Sequence, residues 1–198
     1  VVHAAAKALS PPVLEGERAA ESSPQPPASA SSTGRPAPSA ESALGSEWRD
    51  RYRDGKYADS VALLRANGIA DRLNELPPRT LAEVADAARL GGDLDLSVRA
   101  LTTLMRRFPH ASEARDGQFL LGRVHALRGD STNAIAAFVA YLKPGHGSQY
   151  ANEAVGRLME LYSARGDDDR ARSMARRYLE QAPSGPYRRL ARSLVAQP

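Results

Sequence analysis

The chain has 198 residues, a net charge of +4 and no cysteine, which excludes disulfides, thiolate metal sites and cysteine nucleophiles. Its basic residues are nearly all arginine, set in small clusters (Arg106-Arg107, Arg176-Arg177, Arg188-Arg189 with Arg192) among acids and with few aromatics. That pattern argues against a nucleic-acid surface, and no apolar run reaches the length of a membrane span.

Between Glu15 and Ala43 there is no Val, Ile, Leu, Met, Phe, Trp or Tyr, only a stretch dominated by Ala, Ser, Pro and Glu. Such a segment cannot repay the entropy of ordering. Residues 19–45 are therefore expected to form a disordered Pro/Ala/Ser-rich linker, with 1–18 ahead of it and a folded part over 46–198. The opening Val-Val-His has no initiator Met, so the chain reads as a fragment or processed product, with an upstream signal or anchor left open.

The folded part carries a register. Gly55, Gly92, Gly129 and Gly166 recur at a constant interval, the last three followed by Asp93, Asp130 and Asp167. A fixed period of this size indicates stacked repeats. Five residues after each glycine come Ser60, Ser97, Ala134 and Ala171; nine after come Leu64, Leu101, Phe138 and Ala175. The apolar offsets on both sides follow helical spacing. Each unit is thus expected to be a helical hairpin: the glycine stops the first helix in left-handed geometry, Asp caps the second, the small residue lets the helices approach, and the residue nine on fills the core.

In chain order, the first hairpin is expected over 46–54 and 57–67. A short helix follows at 69–76, where Ile69, Leu73 and Leu76 share a face. The second hairpin covers 79–91 and 94–107, the third 111–128 and 131–142, the fourth 149–165 and 168–181, with a loop at Gly145-His146-Gly147-Ser148 between the last two. A final helix at 185–196 sets Leu190 and Leu194 against Arg188, Arg189 and Arg192, as a terminal cap requires.

No phosphate loop, nucleotide fingerprint, nucleophile elbow or HExxH motif is present. His125 falls in a core-aromatic slot, and Trp48 and the tyrosines read as core. Asp93 with Asp95, and Asp167-Asp168-Asp169, lack the downstream Glu of a calcium loop and read as helix caps. The chain is read as non-catalytic, without metal or cofactor.

The units resemble the tetratricopeptide repeat: Leu121-Gly122, His125, Gly129, Ala134 and Phe138 in the third, Leu158-Met159, Tyr162, Gly166, Ala171 and Pro183 in the fourth, Gly92, Ser97, Leu101 and Pro109 in the second. The first is degenerate, visible in Trp48, Tyr52, Gly55, Ser60 and Leu64. The resemblance implies an all-α right-handed superhelix of about four hairpins with a capping helix, and a concave groove lined by the first helix of each hairpin. Groove positions would be Arg79, Ala82 and Asp86; Asp116, Phe119 and Arg123; Glu153, Gly156 and Glu160. The Lys/Asn set of the chaperone-tail carboxylate clamp is absent. Arg89, Phe119, Arg123 and Glu160 are the candidate binding residues, for a protein or extended, partly acidic peptide. The alternative is a structural or oligomerising domain whose groove is filled by its own chain.

The whole chain also resembles the C-terminal region of bacterial envelope regulators with a FecR-type domain. The residues that carry this are VLEGERAAE before the linker, EWRDRYRDGKYADSVALL, ADAARLGG, FLLGRV and RRYLEQAPSGP. It implies that residues 1–18 are the remnant of an upstream β-domain and that the repeats lie in the periplasm of a Gram-negative bacterium, as part of a sigma-factor regulator. Outer-membrane assembly and cell-division coordinator proteins use similar repeats; a cytoplasmic location is the alternative.

Overall fold

A computed structural model describes residues 40–143 and 149–196, all within the compact unit Ala37–Pro198. The expected remnant at 1–18, the linker up to residue 39 and the Gly145–Ser148 loop lie outside the described residues. Among those described, every regular element is helical: α1 (Ala40–Ala43), α2 (Glu47–Arg53), α3 (Tyr57–Ala66), α4 (Ile69–Arg72) running into a tight turn at Leu73–Glu75, α5 (Pro78–Leu90), α6 (Leu94–Arg107), α7 (Ser112–Leu127), α8 (Ser131–Tyr141), α9 (Ala151–Ala164), α10 (Asp168–Gln181) and α11 (Arg188–Ala196). The pairs α2/α3, α5/α6, α7/α8 and α9/α10 are the four hairpins of a right-handed α-α superhelix, and each second helix packs on the first helix of the next hairpin.

The glycine register holds in three dimensions. Gly55, Gly92, Gly129 and Gly166 all have φ between 71° and 84°, a conformation that costs glycine nothing and L-residues strain. Asp93, Asp130 and Asp167 then accept from the backbone N–H three residues on, at 3.1–3.2 Å, satisfying an otherwise orphaned donor. The first hairpin has Lys56 at this position and no side-chain cap.

The small residue five past each glycine is buried in all four units. In the first two it also bonds: the Ser60 and Ser97 hydroxyls donate at 2.8 Å to the Trp48 and Ala85 carbonyls of the facing helix. The residue nine past the glycine is completely buried, and its size is matched across the hairpin. Phe138 lies over Gly122, where a Cβ would come within 2.7 Å of the ring. One period later the large and small residues exchange sides, with Met159 and Ala175, both fully buried. Close packing demands that compensation.

Two tyrosines one period apart clamp the next helix. The Tyr141 hydroxyl accepts from the Tyr150 backbone N–H at 3.1 Å, and the Tyr178 hydroxyl accepts from that of Tyr187 at 3.2 Å. At the far end α11 buries Ala191 and Leu194 on α10. Where α9 buries Val155 and Leu158, α11 one period on carries exposed Arg192 and Val195. Its outer face is that of a cap, as expected.

The packed region begins earlier than residue 46. Leu44 is 1 % exposed, its carbonyl accepts from Asn67 Nδ2 at 3.1 Å, and Glu41 of α1 reaches Arg49 and Thr80. Residues 40–45, expected as the end of the linker, therefore lie in the packed region: a single leucine after a long apolar-free stretch is a weak local signal, and its partners come from elsewhere in the chain.

Candidate functional site

The first helices of the hairpins (α2, α5, α7, α9) form the inner row. Six residues before each repeat glycine this row presents Arg49, Asp86, Arg123 and Glu160. Three of these four charges are matched within the chain. Arg49 donates to Glu83 at 2.8 Å, to Glu41 at 2.7 Å and to the Thr80 hydroxyl at 2.9 Å. Asp86 accepts from Tyr52 Oη at 2.6 Å and from Arg89 Nε at 3.0 Å. Glu160 accepts from Arg157 Nη1 at 3.1 Å, and Arg157 also lies 3.9 Å from Glu153. Arg123 differs. It is half-buried, with Cζ 6.0 Å from the Phe119 ring centroid, the outer limit for a cation–π attraction. It has no carboxylate partner among the described residues.

Three residues before the glycines the row reads Tyr52, Arg89, Ala126 and Ser163. Tyr52 and Arg89 both donate to Asp86. Ala126 leaves a cleft of about 210 Å³ between α7 and α9, lined by Arg123, Ala126, Leu127 and Arg157 and, from the core side, Phe138. Leu127 is 62 % exposed, the most exposed large apolar side chain among the described residues.

Electrostatics follow the same division. The Thr80 hydroxyl bond, with the Arg49 guanidinium behind it, holds the Glu41 carboxyl below its ordinary range against the opposing effect of burial. Burial, then the bond to the Asp86 carboxylate, pushes the Tyr52 phenol up. Both are structural ties across the first two hairpins. The charges of the N-terminal half are thus matched within the chain, around a cleft of about 300 Å³ lined by Arg49, Thr80 and Glu83, whereas Arg123 lines the α7/α9 cleft without a carboxylate partner among the described residues.

The four candidate residues therefore separate. Phe119 is corrected from groove wall to core. It is 1 % exposed, packed on Phe138 and Tyr141 with centroids 5.7 and 5.5 Å away, and stacked under Tyr150 at 4.6 Å and 13°. One period on, Tyr187 lies over Gly156 in the same way, and any Cβ there would run into its ring. The recurrence of Tyr150 and Tyr187 at the repeat interval was the signal that could have found this cover. Arg89 is tied to Asp86 and only 13 % exposed, so its charge is compensated. Glu160 is exposed but paired with Arg157. Arg123 lines the α7/α9 cleft. His125 is in the core slot, with Nδ1 3.4 Å from Asp130, and Trp48 is fully buried. Asp93, Asp130 and Asp167 are helix caps. Sequence reasoning missed Glu41, Ala126 and Arg157.

No protein-family model matches the chain, and no curated protein matches it. Among solved structures it is similar to that of a candidate kinesin light chain of Podosopora anserina with nearly identical tetratricopeptide-like repeats. The two share 18 % identity with a TM-score of 0.55, over 82 % of this chain and 86 % of that one. Similarity at this identity establishes the fold: stacked tetratricopeptide-like hairpins.

Proposed function

We propose that this tetratricopeptide-like superhelix is a protein-interaction scaffold that holds an extended peptide along the inner row of helices, at the α7/α9 junction. The observation that carries the reading is the cleft beside Ala126, bordered by exposed Leu127 and by Arg123. Apolar surface beside an uncompensated cation suits an amphipathic, partly acidic segment. The described side chains form ion pairs, caps and core and present no nucleophile–base constellation, so the role proposed is binding. A bacterial-envelope setting within a FecR-type regulator is part of the proposal and rests on the sequence resemblance alone; the sequence upstream of Val1 tests it.

A photo-crosslinking residue in the full chain tests the groove. Placed at Ala126, it should capture a partner protein that the same residue at exposed Val139 of α8 does not. Equal capture from both positions would sink the groove reading. Crosslinking from Ala126 to a second copy of the chain would favour an oligomerising role instead.

A further inference from the structure

We infer that the C-terminal end of the superhelix, the outer flanks of α10 and α11, docks on an anionic phospholipid surface. This surface is separate from the inner-row groove and stands or falls without it. Its first sign is an asymmetry of charge. From Ser173 onward the chain carries Arg176, Arg177, Arg188, Arg189 and Arg192 against one acid, Glu180. That net charge equals the +4 of the whole chain, so all that precedes Ser173 balances. Charge gathered at one end of a chain marks a surface for an anionic partner.

The bonding pattern divides at the same place. In the repeats before Ser173 most arginines are engaged. Arg65 reaches Asp93 at 2.8 Å, Arg128 reaches Asp95 at 2.9 Å and Arg170 reaches Asp167 at 2.9 Å. Arg106 donates to the Asn74 side chain at 2.6 Å and Arg107 to the Leu76 carbonyl at 2.7 Å. None of the five later arginines has an ion-pair or hydrogen-bond partner among the described residues. Glu180 lies within a turn of Arg176 and Arg177 on α10 and pairs with neither. Arg176, Arg188, Arg189 and Arg192 are exposed, and Arg177 is half-exposed.

These charges stand on fixed elements. Buried Ala191 and Leu194 hold α11 on α10, and the Tyr187 backbone N–H donates to the Tyr178 hydroxyl at 3.2 Å. Helical spacing puts Arg188, Arg192 and Val195 on one flank of α11, and Val195 is 38 % exposed. Arginines spread over two helices suit an extended field of phosphates better than one acidic side chain, and guanidinium takes phosphate oxygens bidentately. An exposed valine beside them enters the headgroup boundary while the long side chains reach the phosphates. Nucleic acid would find charge without a stacking platform, because Tyr178 is buried and Tyr187 lies over Gly156. No described helix is long and apolar enough to cross a membrane, so the contact is with the lipid surface. Each arginine near an anionic leaflet strengthens partition roughly fivefold.

Co-sedimentation of the full chain with large vesicles tests the inference. Vesicles of phosphatidylcholine with about one third phosphatidylglycerol should bind it and pure phosphatidylcholine should not, and about 1 M salt should release it. Arg188→Gln/Arg189→Gln/Arg192→Gln should weaken partition at least about tenfold, with the thermal midpoint unchanged because these side chains bond to nothing in the chain. Arg176→Gln/Arg177→Gln should weaken it in the same direction. Arg51→Gln/Arg72→Gln/Arg115→Gln removes as much charge from unpaired arginines in the first three hairpins and should change partition less than about threefold, since distant charges are screened. No binding to the anionic vesicles, equal binding to both kinds, or equal loss in the two triple variants overturns the inference. Tighter retention by duplex DNA than by the anionic vesicles at the same salt would assign the patch to nucleic acid and likewise overturn it.

Discussion

Replacing Phe138 by alanine removes a completely buried ring from the third hairpin, and buried Phe→Ala changes cost about 3–5 kcal/mol. Because the ring lies over Gly122, the void opens against bare backbone of α7, which has no side chain to collapse into it. That puts the loss toward the upper part of the range, a fall in Tm of roughly 9–15 °C for a domain of this size. The fourth hairpin shows the remedy: Met159 and Ala175 occupy the positions of Gly122 and Phe138. Gly122→Met alone should overpack against the ring and cost about 1–3 kcal/mol. The double variant Gly122→Met/Phe138→Ala should be less destabilised than the sum of the singles by about 2 kcal/mol or more. The helix-propensity gain from removing a mid-helix glycine is common to Gly122→Met and the double variant and cancels in this comparison, so the non-additivity reports packing. Urea unfolding of the full chain, followed by circular dichroism at 222 nm, measures all three. Additivity within about 0.5 kcal/mol, or a Phe138→Ala cost below about 1 kcal/mol, would refute the size-exchange argument.

Removal of residues 1–39 should leave the urea midpoint unchanged, whereas removal of 1–45 strips Leu44 from the core and should cost about 1.5–3 kcal/mol; equal midpoints would show that α1 adds nothing. Asp93→Ala should cost about 1 kcal/mol through loss of its cap, read by the same unfolding assay, and Asp93→Asn should restore most of it. The Glu41 carboxyl is held below the ordinary glutamate range by the Thr80 and Arg49 donors. A depressed acid contributes stability that is fully present above its unfolded pKa and lost as pH falls through the folded one. Stability should therefore decline below about pH 4.5, and Glu41→Gln should flatten part of that decline; an unchanged acid slope in the variant would remove Glu41 from the account.

The hairpins were legible because their determinants are local. A glycine at φ near 75°, an aspartate three residues before the N–H it caps and apolar residues at helical spacing all act within a turn or two of the chain. The short helix at 69–76 was legible for the same reason, although its second half tightens at Leu73–Glu75. The site was legible only in part. Arg123 stood out by its place in the repeat, but whether such a residue is free depends on neighbours one hairpin away. Arg89 is compensated by Asp86, itself shared with Tyr52 of the preceding hairpin. Phe119 is covered by Tyr150 from the following one. Glu41 meets Thr80 across 39 positions of sequence.

By itself, then, the sequence determined the repeat unit, its helix limits and the identity of its core positions, because backbone conformation and burial periodicity are properties of short segments. The tertiary structure alone decided which inner-row charges are compensated and which cleft is lined by an unmatched cation. Those outcomes depend on how consecutive hairpins stack, which brings Glu83 beside Arg49 at one junction and leaves Arg123 beside Arg157 and the small Ala126 at another.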